Sequence, residues 1–295
     1  MPQGSILGPL LFILYINDLP HALTKSKCVI YADDTTIYYS SNSQNDLFNI
    51  INFDLEQLSD WYKANKLSLN SIKSNFVIFS KNQHPKENNL TVNINGEALT
   101  QLPSSKFLGI IIDSKLEWKE QTLACRSKLS SGLYALNSAK HILSESNLKT
   151  LYYSLMHSHL TYGLLLWGSA LKKYIQPLEI LLKKAVRTIT KSKYNEHTLP
   201  LFNRLKMFKL EDLYQLEIYK FMYQFSNAHL PSLLSQIFIP NSDIHTHYTR
   251  HSQDPHFPKI SVRQYSNSCF CMGPRLWFDL PNTIKNVNTL NSFKE

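Results

Sequence analysis

Two short runs of β-branched and aromatic residues, Cys28–Ala32 and Thr35–Tyr39, flank the pair Asp33-Asp34, and nothing else in the sequence constrains the fold as tightly. Val, Ile, Thr and Tyr favour pleated strands and Asp favours turns, so the stretch predicts a β-hairpin with two carboxylates at its tip. An isolated hairpin is marginal in water and needs apolar partners. The sequence supplies them on both sides. Gly8-Pro9 opens an apolar segment through Leu19 that suits a buried helix, with Pro tolerated in the first turn and Pro20 as the stop. Leu47, Ile50, Ile51, Leu55, Leu58 and Tyr62 recur at helical spacing, which predicts an amphipathic helix ending near Asn65.

Further strands are expected at Asn75–Phe79, at Leu90–Ile94 and Glu97–Leu102 around the turn pair Asn95-Gly96, and at Phe107–Ile112. From Trp118 onward helical patterns replace the strands, roughly Trp118–His141, Ser146–Leu160, Tyr174–Thr190 and Leu210–Phe225, with polar or proline-bearing breaks between them. After Pro231 the chain is rich in Pro, His, Ser and Asn, with one apolar knot at Pro274–Leu280, and reads as a loosely built tail. The expectation is an α+β fold in three stretches: a strand-and-helix unit over 1–117, a helical unit over 118–230 and a tail over 231–295.

A chain of 295 residues has room for more than one folding unit, and 43% apolar with 18% charged residues is a globular profile that excludes a wholly disordered chain. Lys plus Arg number 31 against 22 Asp plus Glu, a formal charge of +9. That surplus favours polyanionic partners, and it is equally compatible with a solvated, lysine-rich surface. Four cysteines, Cys28, Cys125, Cys269 and Cys271, are too few for a disulfide framework in so long a chain and fit a reducing compartment. The apolar run Ile6–Ile16 has no basic residue before it and no small-residue cleavage site after it, and it is shorter than the ~20 residues that span a bilayer. The protein is expected in the nucleus or the cytoplasm, neither secreted nor inserted in a membrane.

The segment Pro2-Gln3-Gly4-Ser5-Ile6-Leu7-Gly8-Pro9, followed by Tyr15-Ile16-Asn17-Asp18-Leu19 and then Tyr31-Ala32-Asp33-Asp34-Thr35, resembles motifs B and C of reverse transcriptases in both order and spacing. Downstream, Trp61, Asn65–Asn70 and Lys73 resemble the next motif, and Ser105–Gly109 with Asp113, Leu116 and Trp118 resembles the primer-grip region. Ser158–Gly163 with Trp167-Gly168, then Lys183–Arg187, His247–Arg250, Gly273-Pro274 and Leu276-Trp277, look like the end of the polymerases of jockey-type non-LTR retrotransposons. The resemblance covers nearly the whole chain.

What this resemblance implies is RNA-directed DNA polymerisation, in which two Mg2+ ions ~3.5–4 Å apart align a primer 3′ hydroxyl with an incoming dNTP on an RNA template. It makes residues 1–117 a partial polymerase palm, 118–230 the thumb, and Asp33 and Asp34 catalytic metal ligands. Taken alone, an Asp-Asp pair between strands is more often a turn. Gln3 and Gly4 match the segment beside the incoming nucleotide, where glycine admits a close backbone approach, and the plainer reading is a loop leading into a helix. Lys73 matches the lysine that donates a proton to departing pyrophosphate, and by itself a lysine there is a solvent-facing residue. Phe107, Leu108 and Gly109 match the hairpin that steadies the primer end, or else are core residues of a strand. The chain starts within motif B, so the resemblance places the fingers, motif A and its aspartate in a missing N-terminal portion, and the isolated chain is expected to be incompetent for synthesis.

Lys183, Arg187 and Lys191 fall four apart, with Lys184 beside them, so they stack on one helical face that either tracks nucleic-acid phosphates or is simply solvated. A basic nucleic-acid-binding protein without catalysis is the competing reading. His245, His247, His251, His256, Cys269 and Cys271 match no standard zinc spacing, and the four tryptophans suit core positions better than base stacking.

Overall fold

A computed structural model describes residues 4–80, 91–244, 255–257, 265–287 and 289–294. The chain is a mixed α and β protein that divides into two compact units, Met1–Ser105 and Lys106–Glu295.

In the first unit, α1 (Leu7–Ile16) is followed by a 3-10 turn over Leu19–Ala22, β1 (Lys27–Tyr31), β2 (Asp34–Tyr38) and α2 (Gln44–Ala64). Short strands follow: β3 (Asn75–Phe76), β4 (Asn93–Ile94), β5 (Glu97–Ala98) and β6 (Thr100–Gln101). Helix α2 starts where the Ser43 hydroxyl accepts the Asp46 amide, a side-chain cap. Its apolar stripe buries Phe48, Leu55, Leu58 and Tyr62 against Ile16, Leu19, Val92 and Ile94. The expected Asn95-Gly96 turn joins β4 to β5, with φ of 54° and 79° at the two residues. Both values lie in the left-handed region that type I′ hairpin turns require.

Two expectations for this unit need correction. Helix α1 was read as buried, yet it buries only Ile16, and Leu7, Leu10, Ile13 and Leu14 are exposed. Its sequence is apolar on every side, so only the face toward α2 and the 3-10 turn finds a partner. The expected antiparallel palm sheet is not one sheet either. Among the described residues the strands form separate two-stranded ladders, and β3 pairs with β6 in parallel, Asn75 opposite Thr100. Strands β3 to β6 are two residues each, too short to sustain wider pairing.

A hairpin of β7 (Ser104–Phe107) and β8 (Ile110–Asp113) starts in the last two residues of the first unit and leads into the second, where the sequence suggests one strand over Phe107–Ile112. Leu108 and Gly109 turn the chain, with φ of 45° and 85°. Leucine in a left-handed turn position is uncommon, which hid the turn. The helices follow: α3 (Lys119–Ala139), α4 (Glu145–Tyr152), a π-helical segment over Tyr153–His157, α5 (Ser158–Thr161), α6 (Leu164–Trp167), α7 (Lys172–Ile189), α8 (Thr198–Leu205), α9 (Leu210–Ser226), α10 (Asn241–Ile244), α11 (Cys269–Asp279), α12 (Asn282–Lys285) and α13 (Leu290–Lys294). Helices α3 and α7 run side by side in parallel. The Tyr174 hydroxyl reaches Glu117 Oε2 at 3.3 Å near one end, and Thr188 Oγ1 reaches Asn137 Oδ1 at 3.0 Å near the other.

The last stretch is not loosely built where it is described. Helix α11 packs on α9, and Cys269, Trp277 and Phe293 join the same core as Leu213, Ile218 and Met222. Gly273 lies at this contact, where an added Cβ would stand 2.8 Å from Met222 Sδ. Among the described residues, no helix is long and apolar enough to cross a membrane.

Candidate active site

Asp33 and Asp34 sit at the tip of the β1–β2 hairpin, as the sequence predicts, and both are exposed. Tyr31 pairs with Asp34, so the loop proper is Ala32-Asp33. Ala32 takes φ of 51°, a left-handed conformation that costs an L-residue with a Cβ roughly 1–2 kcal/mol. Such strain persists only where surrounding structure imposes it.

That structure comes from α2. Beside the tip, Thr35 Oγ1 lies 3.1 Å from the Tyr62 hydroxyl, and Tyr62 is buried in the first unit's core. At the start of β1, the carboxylate of Asp54 grips the approaching chain. It accepts from the Thr24 amide at 2.9 Å, the Thr24 hydroxyl at 2.6 Å and the Ser26 amide at 2.7 Å, with the Lys25 amide at 3.3 Å. Asp54 has no exposed surface. Burial alone would raise its pKa, but the hydrogen bonds from Thr24 and Ser26 prevail and hold the carboxyl well below the usual carboxylate range. Asp54 was not among the residues singled out from the sequence. Its signal was present: it lies three residues after Ile51 and four before Leu58, on the apolar stripe, where an unpaired carboxylate is not tolerated.

Gly4 is exposed with φ of 88°, and Gln3 lies outside the described residues. Lys73 is exposed at the end of a single 3-10 turn capped by Asn70, immediately before β3. Phe107 is half-buried, while Leu108 and Gly109 are exposed at the turn between β7 and β8. The Tyr162 hydroxyl donates to the Leu108 carbonyl, and a Cβ on Gly109 would stand 3.3 Å from Tyr162 Cε1. Asp113, at the end of β8, accepts from the amides of Lys115, Glu117 and Trp118 at 3.2, 2.9 and 2.7 Å, which shapes the loop into α3.

Lys183 and Lys184 are exposed on α7. Arg187 is half-buried and its Nε donates to the Glu196 carbonyl at 2.9 Å. The helix ends at Ile189 and Lys191 turns away with φ of 53°, so Lys191 does not continue the stripe on the helical face as expected. Cys269 and Cys271 are buried in α11, and burial pushes the Cys269 thiol up to about 11. His256 stands 3.0 Å from Asn241 Oδ1, and His245, His247, His251 and the His247–Arg250 motif lie outside the described residues. Trp167 and Trp277 are core residues, whereas Trp61 and Trp118 are half-buried.

Residues 1–112 match the family described as reverse transcriptase (RNA-dependent DNA polymerase). The chain belongs to the reverse transcriptase family. Its relatives identify the branch. The chain is 30% identical over 215 residues to the probable RNA-directed DNA polymerase from transposon X-element of Drosophila melanogaster, covering 70% of this chain and 23% of the relative. It is 26% identical over 270 residues to the RNA-directed DNA polymerase from mobile element jockey of the same fly, covering 87% of this chain and 29% of the relative. Within that family the chain is similar to the polymerases of jockey-type elements. It spans about a quarter of the length of the curated relatives it matches. No solved structure matches the chain.

Against this family the hairpin tip can be tested for a divalent ion. Mg2+ is commonly held by one or two carboxylates with substrate phosphates and water completing the shell. Two exposed carboxylates at one turn fit that chemistry. Among the described residues no group of three or more His, Cys, Asp or Glu side chains converges on a point.

Proposed function

We propose that this chain carries the carboxylate pair of an RNA-directed DNA polymerase, with Asp33 the principal Mg2+ ligand and Asp34 its neighbour. The observation that carries this reading is the strained two-residue turn at Ala32-Asp33, which displays both carboxylates in a chain of this family. Asp33 and Asp34 would hold the ion, which when bound would supply charge neutralisation for attack of a primer 3′ hydroxyl on an incoming dNTP. The chain's own residues supply position. Asp54 and Tyr62 fix the hairpin on α2. Gln3 and Gly4 flank the nucleotide, Lys73 protonates the leaving pyrophosphate, and Phe107, Leu108 and Gly109 steady the primer end on the RNA template.

A two-ion mechanism needs more carboxylate oxygens than one turn provides. The further ligand is proposed to come from polymerase sequence outside these residues, and the 295-residue polypeptide by itself is proposed not to extend a primer. Mn2+ substituted for Mg2+ should broaden the NMR signals of residues 32–35, and Asp33→Ala should abolish that broadening. Broadening unaffected by Asp33→Ala would remove the metal-ligand reading. Templated DNA synthesis by the polypeptide above an Asp33→Ala control would overturn its proposed incompetence.

A second reading, a basic nucleic-acid-binding protein without catalysis, draws on the charge of +9 and the exposed pair Lys183 and Lys184. Salt-dependent binding of an RNA–DNA hybrid with no metal response at Asp33 would favour it.

A further inference from the structure

The pattern Tyr162-Gly163 followed by Trp167-Gly168 has no role in the chemistry above, and its contacts converge on the β7–β8 turn. The Tyr162 hydroxyl donates to the Leu108 carbonyl, at the tip of the hairpin. The Tyr162 ring closes over Gly109, where an added Cβ would come within 3.3 Å of Cε1. Gly163 has φ of 63°, which favours glycine, and a Cβ on it would stand 2.2 Å from Ile110 Cδ1, so this segment lies close against the first residue of β8. Behind Tyr162, its carbonyl accepts from Trp167 Nε1 at 2.9 Å, and Trp167 has no exposed surface. Gly168 lets Tyr214 pack close, since a Cβ would be 2.3 Å from Tyr214 Cδ2. An unbroken chain of contacts thus runs from the helical core through Trp167 and Tyr162 to Leu108.

The turn needs such a brace. Leu108 takes φ of 45°, a conformation that favours Gly or Asn, and a bulky side chain there is strained. A leucine tip that served only to reverse the chain would be better made from Asn-Gly. Instead it stays 36% exposed while its carbonyl is tied from behind. Tyr162 itself remains 55% exposed, so its hydroxyl is held by this hydrogen bond rather than by burial.

We propose that Tyr162 is a positioning residue that locks the Leu108-Gly109 turn in the shape that receives a primer terminus. The inference rests on the primer-grip reading of Phe107, Leu108 and Gly109, and adds to it a brace from a distant segment of the chain.

The test uses the full 295-residue chain, a fluorescein-labelled RNA–DNA hybrid with a recessed DNA 3′ end, and the same hybrid with blunt ends. Wild type should bind the recessed hybrid more tightly. Tyr162→Phe, which removes one oxygen, should bring the ratio of the two affinities toward unity while the thermal midpoint stays within about 2 °C of wild type. Amide hydrogen exchange gives a measurement independent of nucleic acid: protection of the β7 and β8 strand amides that frame the turn should fall about tenfold in Tyr162→Phe while that of α3 is unchanged. A wild type without preference would sink the primer-grip reading and this inference with it. A preference that survives Tyr162→Phe, or unchanged exchange of those strand amides, would sink this inference alone.

Discussion

The Ser26 amide donates to Asp54 Oδ2 at 2.7 Å, so a carboxylate without exposed surface on α2 decides where β1 starts. Thr24 adds its amide and hydroxyl to the same group. Asp54→Ala leaves the buried Ser26 amide unpaired, a loss of about 1–3 kcal/mol, and removes the part-buried bonds from Thr24, so it should destabilise the first unit by about 2–3 kcal/mol in urea unfolding. The sign of the pH dependence follows from the depressed folded pKa. Asp54's contribution is complete above its ordinary value near 3.8 and is lost as pH falls below it toward the folded value. The first unit of wild type should therefore lose stability on acidification below about pH 4, and Asp54→Asn should flatten that part of the profile. Parallel acid profiles for the two proteins would refute the assignment.

Ala32 holds a left-handed φ of 51° beside Asp33. Glycine adopts this conformation without a Cβ clash, so Ala32→Gly should raise stability by about 0.5–1 kcal/mol despite the greater freedom of the unfolded chain. If the residue is retained to aim the carboxylates, the same variant should weaken the Mn2+ effect at Asp33. A gain in stability with an undiminished ion effect would make the strain incidental.

How much of this was legible from the sequence depends on how local each signal was. The Asp33-Asp34 hairpin, the Asn95-Gly96 turn and the stripe of α2 announce themselves within a few residues, and they appear where expected. Helix α8 fell in a proline-bearing break between helical patterns and α11 showed only as an apolar knot at Pro274–Leu280, although tertiary packing of Leu201, Phe202 and Trp277 overrides the weak helix propensity of proline. The β7–β8 turn was hidden because Leu108 stands where turn chemistry would place Asn or Gly. The hydrogen bond from Tyr162 to Leu108 joins residues far apart in the chain, and no spacing rule reaches across that gap.

Gly168→Ala should be more damaging than Gly132→Ala in the second unit. Its Cβ would lie 2.3 Å from Tyr214 Cδ2 and 2.7 Å from the Leu164 carbonyl, and the backbone oxygen cannot swing aside. A loss of about 2–3 kcal/mol is expected, within the range of overpacked cores. Gly132→Ala meets Met156 Cγ at 2.7 Å and the Leu155 carbonyl oxygen only at 3.0 Å, so it should cost less. Chemical denaturation of both variants checks the order, and a reversed order would mean that the Tyr214 contact is looser than these distances imply.

The basic face of α7 gives a prediction that separates contact residues from bystanders. Lys183 and Lys184 are exposed on the helix, Arg187 is committed to the Glu196 carbonyl, and Lys191 has left the helical face. If α7 tracks a nucleic-acid backbone, each lysine that neutralises one phosphate contributes about 0.7–0.9 to the slope of log K against log salt. The pair Lys183→Gln and Lys184→Gln should therefore shallow the slope for a primed hybrid by about 1.5, while Lys191→Gln should change it little. A slope moved by Lys191 and not by the pair would shift the contact from the helical face to the loop after α7.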